Sequence, residues 1–405
     1  MRRTPCRLSL FSFPRRTVCA AFITALTALT ALTSTEASAQ VAPPALQARA
    51  WVLMDAGSDQ ILASSNADAR AEPASLTKLM SAYLVFQALH AKRITMDQTV
   101  LPGEAVRSVG TDESRMFIEP NKPVSVHDLL YGLIVQSGND AAIALAELVG
   151  GSQAQFVQMM NAEAASLGMA HTHFSDVNGM PSPQHFTSAG DLATLTAHII
   201  SDFPEYYPIF STKTFTYDRI RQPNRNRLLW LDPSVDGLKT GHTQAAGYCL
   251  IASAIRDVEG APGTSRRVIS VVMGEPTEPA RVADSLKLLN FAYHAFDAVP
   301  FFRVGQAISL ARVYKGTRLN VDVAPTQNVV ATIPAGTRAQ ITSSIKVNTP
   351  LFAPLSAGEQ VGTVTILDQG KVLTQVPLAT LWAVPQAGLL DRAWDSLQLM
   401  LGSKV

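Results

Sequence analysis

A chain of 405 residues, 47% of them hydrophobic, is long enough to bury one large core and a smaller satellite core, which excludes disorder as the default. Lys and Arg number 33 against 32 Asp and Glu, a formal net charge of +1, so no electrostatic footprint points to nucleic acid or to a strongly acidic partner. Function has to be sought in individual sites.

The N-terminal segment reads as an address. Arg2, Arg3, Arg7, Arg15 and Arg16 form a basic region, residues 17–33 are apolar and uncharged, and Ala37-Ser38-Ala39 offers small residues to a signal peptidase. This predicts a signal peptide over 1–39, a mature start at Gln40, and export. The apolar stretch is shorter than the roughly 20 residues a spanning helix needs. Arg15-Arg16, flanked by Pro14 and Thr17-Val18, fits a twin-arginine signal poorly. Two of the 3 cysteines, Cys6 and Cys19, fall in this segment, so Cys249 has no internal disulfide partner in the mature chain. Its neighbours Tyr248, Leu250, Ile251 and Ala252 are those of a packed core thiol.

Trp51-Val52-Leu53-Met54-Asp55, the turn Gly57-Ser58-Asp59 and Ile61-Leu62-Ala63 predict a β-hairpin. Apolar residues then recur at helical spacing at Leu76, Leu79, Met80, Tyr83 and Leu84, again at Leu129, Leu130, Leu133 and Ile134, at Ile143, Leu145, Ala146 and Leu148, and at Leu192, Leu195 and Ile199. Ser125 to Asp128 resembles a capping box. Strands return over 247–256 and 267–273 around a Gly260-Ala261-Pro262-Gly263 turn, followed by a helix through Leu286, Leu289 and Phe296. Strands at both ends with helices between predict an α+β domain over 40–300, its antiparallel sheet completed by the two chain ends.

Beyond it, strand-like runs at 307–313, 329–333, 340–347, 361–367 and 372–378, separated by Pro, Gly and Asn turns, predict a small all-β sandwich over 301–385. Residues 386–405 read as an amphipathic helix, with Leu389, Leu390, Ala393, Trp394, Leu397, Met400 and Leu401 on one face and Asp391, Arg392, Asp395 and Gln398 on the other. It is too short to span a bilayer and is set off by Pro385 and Gly388. The expectation is a helix lying in a membrane surface with Trp394 at headgroup depth; the alternative is a terminal helix packed on the β-domain.

Three short motifs carry chemistry. Ser75-Leu76-Thr77-Lys78 opens a helix just after Pro73, and residues three apart on a helix share a face, so the Lys78 amine can reach the Ser75 hydroxyl. Serine needs a neighbour to take its proton, and apolar Leu76, Leu79 and Met80 would desolvate Lys78 and lower its pKa into a useful range. Alone, the motif reads more readily as a capping serine and a surface lysine. Ser343-Ser344-Ile345-Lys346 repeats the spacing in the β-domain with no such expectation. Ser137-Gly138-Asn139, in the break between two helices, presents a hydroxyl and a carboxamide that can relay a proton and hold a substrate amide, or is an ordinary turn. Lys239-Thr240-Gly241, followed by His242 and Thr243, leads into a strand; a cation and a hydroxyl there suit a terminal carboxylate, and Gly241 lets an extended peptide approach the backbone.

In this order and these contexts the three motifs match the set shared by β-lactamases and penicillin-binding proteins. The chain resembles the low-molecular-mass penicillin-binding proteins that are serine-type D-alanyl-D-alanine carboxypeptidases. The resemblance runs through Gln136-Ser137-Gly138-Asn139-Asp140, Asn224-Arg225-Asn226 before Leu228-Leu229-Trp230, and Val235-Asp236-Gly237-Leu238-Lys239-Thr240-Gly241-His242-Thr243, then the β-domain and tail. It implies a penicillin-binding, serine β-lactamase-like fold with no metal and no cofactor. It implies catalytic Ser75, Lys78 and Ser137, with Asn139, Lys239, Thr240, Gly241, His242 and Arg225 holding substrate and the backbone N–H groups of Ser75 and His242 as oxyanion hole. The implied partners are peptidoglycan stem peptides ending in D-Ala-D-Ala, β-lactam antibiotics, and the periplasmic side of the inner membrane through the terminal helix.

Departures from the family pattern are Gly190 before Asp191, where arginine is often found, and the insertion Pro181-Ser182-Pro183; both are expected to touch the loop below the site. Without G-x-S-x-G, H-E-x-x-H or C-x-x-C, a histidine-based triad or a zinc peptidase has no local support. Competing readings are a β-lactamase, a cross-bridge endopeptidase and an inactive envelope scaffold.

Overall fold

The computed structural model describes residues 42–258, 265–337 and 341–400. The expected signal peptide, the turn at 260–263 and Leu401 of the terminal helix lie outside the described residues.

The hairpin β1 (Ala50–Asp55) and β2 (Gln60–Ser65) leads into α1 (Lys78–His90), and a ribbon of β3 (Thr99–Val100) and β4 (Val124–Ser125) precedes α2 (Val126–Tyr131), α3 (Asn139–Gly150), α4 (Gln153–Ser166) and α5 (Ala189–Asp202). A second hairpin, β5 (Thr214–Tyr217) and β6 (Ile220–Pro223), and the single turn α6 (Leu228–Leu231) lead to β7 (Val235–Thr243), β8 (Gly247–Asp257), β9 (Ser265–Glu275) and α7 (Glu278–Ala295). The sheet order β2-β1-β9-β8-β7 is antiparallel throughout, so strands from the two ends of the domain meet at β1 and β9, as expected from the sequence.

Strand alternation explains why this sheet has helices on both faces. Ala50, Val52 and Met54 of β1 join the core built by α1, α3 and α5, while Trp51 and Leu53 join the opposite core, which takes Leu288, Leu289 and Ala292 from α7. Helix α1 lies in the first core and is buried on all sides, from Leu79 and Met80 through Val85 and Phe86. A charged residue inside such a helix is conspicuous, and Lys78 is 1% exposed.

The apolar run after Ser125 does not continue as one helix. Ser125 Oγ accepts from the Asp128 N–H and caps α2, but from Gly132 to Gln136 the backbone widens into a π-helical turn. The Gly132 carbonyl accepts from the Gly138 N–H, and a Cβ on Gly132 would lie 2.1 Å from the sulfur of Met116, so only glycine fits this packing. The turn ends with Ser137 in the left-handed region at φ 66°, and α3 resumes at Asn139. A π-turn at this point is how the chain swings a hydroxyl out of helical register.

Helix α7 stops at Ala295, and Phe296, expected inside it, opens β10 (Phe296–Phe302). The C-terminal domain adds β11 (Ser309–Tyr314), β12 (Asn320–Pro325), β13 (Val329–Pro334), β14 (Ile341–Val347), β15 (Leu351–Phe352), β16 (Gln360–Asp368) and β17 (Lys371–Thr380). These form a six-stranded sheet ordered β14-β16-β17-β12-β11-β15 and a β10-β13 pair, around a core that includes Val313, Val323, Val329, Val364 and Leu378. A buried ion pair ties it to the first domain: Asp55 on β1 accepts from Arg266 at 2.7 Å and from the Thr332 hydroxyl of β13 at 2.6 Å, and Arg266 also donates to the Ala292 and Phe296 carbonyls. The chain closes with α8 (Leu389–Met400).

Candidate active site

Ser75 sits in a tight turn, residues 74–77, immediately before α1. The turn is clamped from two sides by glycines. A Cβ on Gly241 of β7 would lie 2.9 Å from the Pro73 carbonyl, and one on Gly179 only 1.8 Å from the Ala74 carbonyl, with Gly179 itself at φ 89°. Besides leaving room for a peptide substrate, Gly241 lets β7 close onto the turn that carries Ser75.

Lys78 Nζ donates to Ser75 Oγ at 3.2 Å and to the Asn178 carbonyl at 2.7 Å. Burial is the first cause of its lowered pKa, partly countered by Asp176 and Glu113, and the amine is brought to about 7. An amine so placed is substantially neutral at neutral pH and can accept a proton. Ser137 Oγ accepts from Lys239 Nζ at 2.8 Å, and Lys239 also donates to its neighbour's carbonyl, Thr240 O, at 3.0 Å. Burial pushes Lys239 well below the ordinary lysine value, and the charge of Lys78 pushes it further. Two hydroxyl–lysine pairs therefore share one desolvated region, from chain positions 102 residues apart in the second pair.

The other predicted residues line the same cleft of about 930 Å³: Asn139, Arg225, Thr240, Gly241 and His242 join Ser75 and Ser137 there. Strand β7 is the edge of its sheet, so its cleft side can take an extended peptide. His242 stacks on Tyr248 with ring centroids 4.0 Å apart. Arg225 is exposed, and desolvation, partly offset by Glu278, lowers its pKa.

Two comparisons decide the family. Residues 37–277 match the family model described as D-alanyl-D-alanine carboxypeptidase, and residues 296–386 match that of the penicillin-binding protein 5 C-terminal domain. The chain is 41% identical over 365 residues to the D-alanyl-D-alanine carboxypeptidase DacC of Escherichia coli (strain K12), covering 89% of this chain and 90% of that protein. This chain belongs to the D-alanyl-D-alanine carboxypeptidase family. Among solved structures it is similar to penicillin-binding protein 5 from Haemophilus influenzae, at a TM-score of 0.73 and 40% identity over 85% of this chain and 100% of that one. It is also similar to penicillin-binding protein D2 from Listeria monocytogenes in its ampicillin-bound form, at a TM-score of 0.54 and 32% identity over 62% of this chain and 98% of that one.

The structure of this carboxypeptidase also shows residues that sequence reasoning missed. Glu113 accepts from the Asn139 carboxamide and lines the cleft, fixing which way that amide points. Asp140 accepts the N–H groups of Met116, Phe117 and Ile118 and so shapes the loop that carries Glu113. Beneath Lys78, Asp176 accepts from the backbone of Asn178 and Gly179 at 2.7 Å and faces His185 Nδ1 at 3.2 Å, while His185 Nε2 meets Thr77 Oγ1 at 2.8 Å. Burial raises the Asp176 pKa, but His185 and those N–H groups outweigh it and hold the carboxyl below its ordinary value. Arg281 of α7 donates to the Gly241 carbonyl at 3.3 Å and lines the cleft.

The two departures from the family pattern separate here. Pro181 lines the cleft, whereas Gly190 bonds through its N–H to Ala67 at the start of α5 and is not among the lining residues. Cys249 is buried in the core, and burial raises its thiol to about 11.

Proposed function

We propose that this serine-type carboxypeptidase removes the terminal D-alanine from peptidoglycan stem peptides, with Ser75 as nucleophile and Lys78 as its base. The observation that carries this is the Lys78 amine, 1% exposed and 3.2 Å from Ser75 Oγ. Ser75 Oγ attacks the carbonyl between the last two D-alanines and passes its proton to Lys78. The oxyanion faces the N–H groups of Ser75 and His242, and the N-terminus of α1 adds its positive field. Ser137, paired with Lys239, relays that proton from Lys78 to the departing amine; the C–N bond breaks, D-alanine leaves, and an ester remains on Ser75. Water then cleaves the ester and restores the hydroxyl. Asn139 holds the substrate amide, Thr240 and His242 the strand edge, and Arg225 the terminal carboxylate. In a β-lactam the leaving amine stays tethered to the acyl group, so the ester persists.

The reading includes export to the periplasmic face of the inner membrane. No helix among the described residues is long and apolar enough to cross a membrane. Helix α8 turns its polar side to the β-domain, where Gln398 accepts from Arg312 at 3.0 Å and Asp395 accepts from the Lys315 N–H. Leu390 is left 87% exposed, Met400 85% and Trp394 61%, which supports a peripheral hold on lipid.

Mass spectrometry of the mature protein after brief penicillin exposure tests the core of the proposal. One adduct on the Ser75 peptide is expected, together with release of D-alanine from a D-alanyl-D-alanine peptide at a rate far above penicillin hydrolysis. An adduct on another residue would overturn the assignment, and faster penicillin hydrolysis would favour a β-lactamase.

A further inference from the structure

The cleft does not end at its arginines. Beyond Arg227 and Glu278, which line both, it opens into an apolar groove of about 560 Å³ between α6 and the first turns of α7. Leu231 forms one wall, and Pro279, Val282 and Leu286, spaced three and four residues apart on α7, form the other. Leu231 is 60% exposed, a large apolar side chain facing solvent beside a polar cleft.

Charge orients the substrate relative to this groove. Glu278 lies within charge range of Arg225 and accepts from Arg281, which also donates to the Gly241 carbonyl. Asp112 and Glu113 are the other charged residues of the lining besides Arg227. A peptide with a C-terminal carboxylate therefore places its leaving residue toward Arg225 and Arg281. The groove continues from the arginine end, so it lies on the leaving-residue side.

We infer that the groove bounded by Leu231, Val282 and Leu286 is a subsite for the side chain of the leaving residue, and that it admits D-amino acids with unbranched aliphatic side chains in place of D-alanine. The inference rests on the function proposed above. The bond chemistry is unchanged: Ser75 forms the ester, the larger D-amino acid departs with a protonated amine, and water restores the hydroxyl. Only the apolar surface buried by the leaving side chain differs.

The test compares N-acylated L-lysyl-D-alanyl peptides ending in D-alanine or in D-norleucine, assayed with the wild-type protein and with Leu231→Glu and Ala283→Trp, the second of which fills the groove from its exposed rim. The norleucine peptide is expected to show a kcat/KM within threefold of the alanine peptide or above it. Both variants should lower the norleucine value at least tenfold while leaving the alanine value within twofold. A wild-type norleucine value more than threefold below alanine, or variants that lower both peptides alike, would overturn the subsite. No turnover of the alanine peptide would overturn the proposed function itself, and the subsite with it.

Discussion

Ser75-Leu76-Thr77-Lys78 enters a helix, whereas Ser343-Ser344-Ile345-Lys346 runs along β14, and the difference decides whether a hydroxyl and an amine three residues apart can meet. At the helix start Lys78 turns back onto Ser75 at 3.2 Å. In β14, positions an odd number apart point to opposite faces of the sheet, and Ser343 and Lys346 are paired across to Ile366 and Thr363. Both are exposed, so the Lys346 amine is also solvated. Geometry and desolvation are separate requirements, and only the first tetrad meets both.

Removing the hydroxyls should break the symmetry of spacing most sharply. Ser75→Ala is expected to abolish labelling by a fluorescent penicillin, and Ser343→Ala to leave it unchanged; labelling that persists in Ser75→Ala would sink the nucleophile assignment. Next come the amines. Arginine keeps the charge but cannot give up its proton, so Lys78→Arg should slow acylation about 10³-fold, within the usual range for a lost general base. Lys346→Arg should not change it, and equal effects at both positions would show that Lys78 contributes charge alone.

The packing of Gly241 on the turn supports a smaller prediction. Gly241→Ala sets a methyl 2.9 Å from the Pro73 carbonyl, which forces β7 and the Ser75 turn apart. Acylation should fall roughly 10- to 100-fold with little change in thermal unfolding. Unchanged rates would mean that the turn and strand need not be held so closely.

Desolvation can be read from pH. The Lys78 amine is lowered to about 7, so it is neutral above that pH and protonated below it. The second-order acylation rate should therefore level off above pH 7 and fall about tenfold per unit below it. A rate that keeps rising to pH 10 would indicate an unperturbed lysine at position 78.

What could be read beforehand follows the range of the interactions involved. The helical period around Leu79 and Tyr83, the hairpin at β1 and β2, and the three motifs are local patterns. Glu113 is not: it meets Asn139 from 26 residues upstream, on an irregular segment with no period. The line from Asp176 through His185 to Thr77 spans 108 residues between its last two members, and its loop carries no signature beyond turn residues. The π-turn depends on Gly132 meeting Met116, a tertiary contact invisible to helical periodicity. Strand β10 was hidden by Pro300, which ordinarily argues against a strand and here sits where the register with β13 shifts.

The smallest effect concerns the domain that carries the second tetrad. Thr332 of β13 donates to Asp55 at 2.6 Å, a carboxylate that also holds Arg266 in a pair whose members are both nearly buried. Thr332→Val keeps the shape and removes one hydrogen bond to a charged group, which should cost about 1.5–3 kcal/mol in denaturant unfolding. Asp55 retains Arg266 and the N–H groups of Gly57 and Ser58, so the carboxylate is not orphaned. Acylation of Ser75 should stay within twofold, because none of these groups lines the cleft. If stability falls and acylation holds, the β-domain acts on the enzyme as a support; if acylation falls with stability, β1 transmits strain to the turn at Ser75, and the two domains cannot be treated as independent.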